Sequence, residues 1–178
     1  MTQALLILDL DETLMHARET ALEWHEDFRI GPYFVYRRPF LENFLEQVSK
    51  SFRLAVWTSS SPEYALEAVP NLIPSHISLE FVWTSERCTT HLNMETFERY
   101  WIKDLRKVKR RGYPLERVLM LDDSPEKLER HYGNWLPVSP FEGDPADTAL
   151  HDILPVLERL SSLENVRRVE KRFWLSLS

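Results

Sequence analysis

The chain has almost no cysteine and little glycine, it lacks a long apolar segment, and its charge balance is not basic. Each shortage excludes something. One cysteine, Cys88, stands in 178 residues, so no internal disulfide can form and a reducing intracellular compartment, most simply the cytoplasm, is expected. The four glycines build no Gly-rich loop, which disfavours dinucleotide binding and P-loop chemistry. No stretch is long enough to span a bilayer, and no basic segment followed by an apolar run and a cleavage site opens the chain. A soluble protein with no membrane partner is expected. The net charge of −6 argues against broad affinity for nucleic acid and leaves room only for a local basic patch. With 43% hydrophobic and 28% charged residues the composition is that of an ordinary globular protein, and the length suits one domain, residues 1–178.

Against that background one stretch stands out. Leu5, Leu6, Ile7 and Leu8 run straight into Asp9, followed by Asp11, Glu12 and Thr13. A short continuous apolar run reads as a strand covered on both faces, and such strands present functional groups where they end. Asp9 and Asp11 lie two residues apart on one side of an extended chain, where their charges repel unless a cation or a shared proton offsets them. The plain alternative is a strand ending in an acidic turn.

Further along, Ala17 to Ile30 is polar and aperiodic, and reads as a flap or loop. Tyr33 to Arg37 reads as a short strand, and Pro39 as the first position of a helix burying Phe40, Leu41, Phe44, Leu45 and Val48. Arg53 to Thr58 is a second buried strand, ending in the hydroxyls of Thr58, Ser59, Ser60 and Ser61. Ser61-Pro62-Glu63 then starts a helix. Leu79 to Trp83 is a third apolar run. Thr84 to Asn93 reads as loop, and Phe97 to Val108 as helical. The basic Lys107 to Arg111 reads as a solvated helix end. Arg117 to Leu121 is a fourth core strand ending in Asp122-Asp123, with Ser124-Pro125-Glu126 opening another helix. A short strand at Leu136 to Val138, an amphipathic helix over 144–160 that Pro155 should kink or split, and an extended tail over 166–174 complete the chain. Strands alternating with helices imply an α/β protein with a mainly parallel sheet.

A parallel sheet brings its carboxyl ends to one edge, so Asp9 and Asp11, Thr58, and Asp122 with Asp123 should converge. Such an all-oxygen set suits Mg²⁺, whereas zinc would ask for His or thiolate at regular spacing. Asp9, fixed by its strand, is the candidate nucleophile on phosphorus and Asp11 the acid/base. Thr58 and Lys103 are candidates to hold phosphoryl oxygens, and Asp123 to complete a metal set of Asp9, Asp11 and Asp123. Asp122 would orient Lys103, with Thr13 and Ser59 in support. Taken singly, Thr58 could cap a helix, Lys107 or Lys109 could replace Lys103, and either of Asp122 and Asp123 could be a turn residue.

The stretches LILDLDETL, VWTSS, WIKDL and VLMLDDSP resemble the four motifs of the haloacid dehalogenase superfamily. Together with RRPFLENFL and DTALHDILPVLERL, they are similar to the subgroup of small RNA polymerase II C-terminal-domain phosphatases, also called NLI-interacting-factor-like phosphatases. The resemblance implies a Rossmann-like haloacid dehalogenase fold with a small or absent cap. It implies a Mg²⁺-dependent phosphomonoesterase working through phospho-Asp9, with Asp11 giving its backbone carbonyl to the metal, on phosphoserine or phosphothreonine in protein. Relatives carry Asp-Asn where this chain has Asp122-Asp123, and an arginine near Ser85 where this chain has Arg87 displaced. The alternatives are a nucleic-acid end or small-metabolite phosphatase on the same scaffold, or a non-catalytic module binding protein through Trp24, Phe28, Tyr33, Trp83 and Trp101.

Overall fold

The apolar runs become strands of one parallel sheet in the computed structural model, which describes residues 3–172 and 174. In chain order the strands and α-helices are β1 (Ala4–Leu8), β2 (Met15–Arg18), β3 (Phe28–Ile30), β4 (Tyr33–Arg37), α1 (Leu41–Ser51), β5 (Phe52–Trp57), α2 (Pro62–Leu72), β6 (Leu79–Trp83), β7 (Thr89–Leu92), β8 (Arg99–Ile102), α3 (Arg106–Arg110), β9 (Val118–Asp122), β10 (Trp135–Pro137), α4 (Ala149–Asp152) and α5 (Leu154–Ser161).

The main sheet has the order β10-β9-β1-β5-β6, and every pairing in it is parallel. Period-two alternation divides its side chains between two cores. Leu6, Leu8, Leu54, Val56, Leu119 and Leu121 face α1, α2, α4 and α5, packing with Phe44, Leu45, Leu72 and Leu157. Leu5, Ile7, Ala55, Trp57, Val118 and Met120 face the other way, against Leu105, Val108, Leu128 and Trp135. Covering both faces is what makes these strands continuously apolar in sequence. Each buried Leu or Ile is worth roughly 1.5–3 kcal/mol. From β1 the chain passes outward on one side to β5 and β6, then returns to β9 and β10 on the other. The order therefore reverses beside β1, where open parallel sheets hold their ligands.

Several expectations are corrected. Ala17 to Ile30 is not simply a loop: it supplies part of β2 and all of β3, which flank β4 in an antiparallel sheet of order β2-β4-β3. The segment expected as loop and helix between Thr84 and Val108 instead contains the β7–β8 hairpin, and helix begins only at Arg106. An isolated hairpin buries little, and Leu92, Met94, Phe97 and Trp101 on it are exposed, so no alternation marks it. Pro39 lies outside α1. Phe40, in the left-handed region at φ 64, precedes the helix and is exposed, whereas Leu41, Phe44, Leu45 and Val48 face the core.

Pro155 falls in the first turn of α5 and divides it from α4, while 144–148 is not helical. Ser124-Pro125-Glu126 opens only a short 3₁₀ turn, Pro125–Leu128. The tail contributes a 3₁₀ turn at Val166–Arg168 and a buried Trp174, whose indole donates to the Pro137 carbonyl at 2.6 Å. Phe173 of the expected extension lies outside the described residues.

Arg38 fastens the small sheet to the large one. Its backbone N–H donates to the Leu14 carbonyl at 2.9 Å. Its wholly buried guanidinium grips both oxygens of Asp147 at 2.8 Å and also donates to the carbonyls of Thr13 and Ser139. Forked pairing of this kind satisfies a charge that would otherwise be costly to bury.

Candidate active site

The carboxyl edge of the main sheet is built strand by strand. The Asp9 N–H donates to the Leu121 carbonyl at 3.0 Å, carrying the β1–β9 pairing one bond past the end of β1. On the far side of β5, the Thr58 N–H donates to the Trp83 carbonyl at 2.9 Å. After Asp9 the chain turns tightly. The Leu10 carbonyl accepts from the amides of Thr13, Leu14 and Met15, and Glu12 is left-handed at φ 58. That turn separates the two aspartates of the first motif: Asp9 faces β9, and Asp11 faces the start of α2.

On the β9 side two ammonium groups meet three carboxylates. Lys103 Nζ, wholly buried, lies 2.8 Å from Asp9 Oδ1 and donates to Asp122 Oδ2 at 2.7 Å. Lys127 Nζ donates to Asp9 Oδ2 at 2.9 Å and stands 3.7 Å from Asp122 Oδ1 and 3.9 Å from Asp123 Oδ1. The Lys103 N–H donates to the Lys127 carbonyl at 2.8 Å, which ties the two lysines together through the backbone. Asp123 is oriented by hydroxyls: Thr13 donates to one oxygen at 3.3 Å and Ser124 to the other at 3.1 Å. The Ser124 N–H caps Asp122 Oδ1 at 2.9 Å.

Burial alone would push the Asp9 carboxyl up, but the charges of Lys103 and Lys127 outweigh it and hold it below its ordinary 3.8. Asp122 is pushed up to about 6 by burial and by the charge of Asp9, against the pull of Lys103. Burial also raises Asp123, with Lys127 opposing. Burial works against the charge of Lys127, yet Asp9 and Asp122 together hold its ammonium well above the ordinary range.

On the α2 side the chemistry is hydroxylic. Tyr64 donates to Asp11 Oδ1 and Ser60 to Asp11 Oδ2, both at 2.7 Å. Burial, then the charge of Asp11, raises the Tyr64 phenol far above its usual value, so it remains a donor. Thr58 Oγ1 accepts from the Ser60 N–H at 3.0 Å, a bond that leaves its own proton to give elsewhere. The α2 cap is Ser61, which accepts from the Tyr64 N–H, so Thr58 is not that cap. Ser59 sits half-buried on the same turn.

Asp9, Asp122, Asp123 and Lys103 thus come together, with Thr13 beside them. Among the described residues, the group of three potential ligands offering atoms within 4.8 Å of one another is Asp9, Asp122 and Asp123. The carboxylate of Asp11 is not in that group, because Ser60 and Tyr64 hold it on the other side. The resemblance asks only the backbone carbonyl of Asp11 in the metal set of Asp9, Asp11 and Asp123, so the position of that carboxylate leaves the expected set unchanged. Of the alternative lysines, Lys107 donates to the Arg87 carbonyl and Lys109 is exposed. Trp83 is core, stacked on Phe81 and edge-on to Trp57. Trp24 packs edge-on to Tyr36 of the small sheet and Trp101 lies on the hairpin, so these aromatics do not form one continuous surface. Residue type and spacing alone do not mark Ser60, Tyr64, Ser124 and Lys127 as site residues. Ser60 belonged to the visible hydroxyl cluster and Tyr64 follows one turn behind its cap. Lys127 carried only its position four residues after Asp123.

The donor set fits a hard divalent ion: it offers carboxylate oxygens, no imidazole or thiolate, and a place where a positive charge, here the Lys127 ammonium, already stands. The fold and this acidic strand edge define an α/β protein of the open parallel-sheet class with its polar groups gathered at the point where the strand order reverses. The sequence pattern of the NLI interacting factor-like phosphatase family matches residues 4–167, and the chain belongs to that family. It is 30% identical over 171 residues to the human carboxy-terminal domain RNA polymerase II polypeptide A small phosphatase 1, covering 92% of this chain and 62% of that protein. It is 31% identical over 189 residues to CTD nuclear envelope phosphatase 1 of Xenopus tropicalis, covering 94% of this chain and 71% of the relative. The solved structure of Fcp1, an essential RNA polymerase II CTD phosphatase, shares the fold with a TM-score of 0.60 at 19% identity, over 92% of this chain and 51% of that one. No helix among the described residues is long and apolar enough to cross a membrane.

Proposed function

We propose that this chain is a Mg²⁺-dependent phosphomonoester hydrolase acting through an aspartyl-phosphate on Asp9, with phosphoserine or phosphothreonine of a protein as substrate. The observation that carries the reading is the buried Asp9 carboxylate at the end of β1, kept ionised by Lys103 and within reach of Asp123. Relatives named as phosphatases of the polymerase C-terminal domain support a protein substrate. Among the described residues only a three-stranded sheet and a two-stranded hairpin stand beside the main sheet, and so small a cap suits a polymer substrate. Cys88 has no thiol partner in the chain, which suits a reducing intracellular compartment.

In this mechanism an Asp9 oxygen attacks phosphorus, and the seryl or threonyl oxygen leaves with a proton from Asp11. Asp11 then takes a proton from water as that water attacks phosphorus and the Asp9–O–P bond breaks, releasing inorganic phosphate. To reach the leaving oxygen, the Asp11 side chain turns away from Ser60 and Tyr64. Lys103 and the Thr58 hydroxyl hold the non-bridging oxygens as their charge shifts. The carboxylates of Asp9 and Asp123 and the backbone carbonyl of Asp11 would hold Mg²⁺, which would supply the positive charge that lets phosphoryl oxygens approach this acidic edge.

The test is hydrolysis of an aryl phosphate with and without a chelator, followed by a panel of phosphopeptides, 3′-phosphorylated oligonucleotides and sugar phosphates. Mg²⁺-dependent turnover favouring phosphopeptides is the expected result. Preference for oligonucleotides or sugars would reassign the substrate, and full activity in folded Asp9→Asn would end the mechanism.

A further inference from the structure

The site contains one cation more than its chemistry needs. Lys103 already pairs with both Asp9 and Asp122, is wholly buried, and spans from one carboxylate to the other. Lys127 arrives separately, from the 3₁₀ turn just after β9, and its Nζ faces the same three carboxylates that form the cation-binding group. Its contacts are graded: a hydrogen bond of 2.9 Å to Asp9 Oδ2, then 3.7 and 3.9 Å to Asp122 and Asp123. Those longer distances exceed a good hydrogen bond, so Asp122 and Asp123 attract the ammonium mainly through charge. Asp123 itself is steered by Thr13 and Ser124 and does not depend on Lys127 for its orientation.

We propose that Lys127 is a resident counter-ion that stands in the metal's place in the metal-free enzyme, and that Mg²⁺ must displace it. Mg²⁺ binds oxygen at about 2.0–2.1 Å. The Lys127 ammonium stands 2.9 Å from Asp9 Oδ2, so an ion bound to that oxygen would lie no more than about 5 Å from it. Two positive centres so close repel, and both compete for the Asp9 Oδ2 lone pairs. The lysine has a way out, because its side chain is 16% exposed while those of Lys103, Asp9 and Asp122 are 0–1% exposed. Its backbone, held by the Lys103 N–H and by its own N–H on the Ser124 carbonyl, stays in place as the side chain swings. Lys127 thereby keeps three like charges compatible with folding when no metal is present, and sets the Mg²⁺ concentration at which the site loads.

This inference rests on the metal site of the proposed function, and the experiment separates the two. Chelator-treated, full-length wild type, Lys127→Met, Lys127→Gln, Lys127→Arg and Asp123→Asn are titrated with MgCl₂ by calorimetry. Each melting temperature is recorded with and without Mg²⁺. Lys127→Met and Lys127→Gln should bind Mg²⁺ about tenfold more tightly than wild type, the scale for removing one competing unit charge at such a distance. They should melt lower than wild type without Mg²⁺ and gain more on its addition. Lys127→Arg, which keeps the charge, should bind no more tightly than wild type, and Asp123→Asn should bind far more weakly. Unchanged or weaker binding by both neutral variants, with Asp123→Asn still impaired, overturns the displacement and leaves the metal site standing. No binding by any of the five proteins, or binding indifferent to Asp123→Asn, removes the metal site and this inference with it. If Lys127→Met fails to fold, Lys127→Gln carries the comparison.

Discussion

Asp9 and Asp11 sit two residues apart and occupy different worlds. Asp9 lies between two ammonium groups among further carboxylates; Asp11 lies between two hydroxyls. On the β9 side interactions are charge to charge, nearly dry, and close to neutral only in combination. On the α2 side they are neutral donors on a half-buried acceptor, replaceable by water and light enough to be exchanged during a reaction. The division teaches which residues must stay put and which must move: a nucleophile benefits from fixed charges, an acid/base from partners it can leave.

The largest effect expected from breaking this contrast is Asp9→Asn. It keeps the shape but removes the attacking oxyanion and one partner of each lysine, and aryl phosphate hydrolysis should fall to background while circular dichroism stays native. Next comes Asp11→Asn, which should lower kcat by roughly 10²- to 10⁴-fold, the usual worth of a general acid–base. It should leave Mg²⁺ binding by calorimetry close to wild type, since its backbone carbonyl is untouched. Tyr64→Phe removes one donor from Asp11, and the rate should change by no more than about tenfold, the scale of one hydrogen bond's net contribution. A larger loss, or altered Mg²⁺ affinity, would mean that the two sides are not separable.

The smallest effect lies behind the charged side. Asp104, next to Lys103 in sequence, turns away to Arg106 and His131. Arg106 foremost, helped by His131 against the cost of burial, holds the Asp104 carboxyl well below the ordinary 3.8. The folded value lies below the unfolded one. Asp104 therefore contributes stability that is present above pH 3.8 and is lost as the pH falls through the depressed folded value. Asp104→Asn should cost about 1–3 kcal/mol at neutral pH, and melting temperatures of variant and wild type should converge on acidification through that range.

The same contrast governs what was legible in the sequence. β1, β5 and β9 showed as apolar runs because both their faces are covered; β6, at the sheet edge with Val82 exposed, still showed as Leu79 to Trp83, and β10 as a short segment near Leu136. The ends of β1, β5 and β9 carried residue types that made their convergence readable. In the small sheet only β4 was readable, as the short strand Tyr33 to Arg37; β2, β3 and the hairpin were not. Their strands are partly exposed, so Met15–Arg18 and Thr89–Leu92 mix polar and apolar residues without period, and WIKDL reads as well for a helix as for the end of a strand. The side-chain direction of Asp11 depends on the left-handed Glu12 turn, which no residue type there announces. Lys127 sits in Pro-Glu-Lys, an ordinary solvated helix opening. Only the shortness of the 3₁₀ turn swings it back over the sheet.

The bond from the Asp9 amide to the Leu121 carbonyl has a consequence for how such proteins diversify. The distance between Asp9, the proposed attacking group, and the acids on the neighbouring strand is measured across the sheet, one inter-strand spacing wide, and not along the intervening polypeptide. Excursions such as 15–37 and 89–102 can lengthen, shorten or change character without that separation being reset. Partner choice is then free to drift at the periphery while the reaction keeps its geometry.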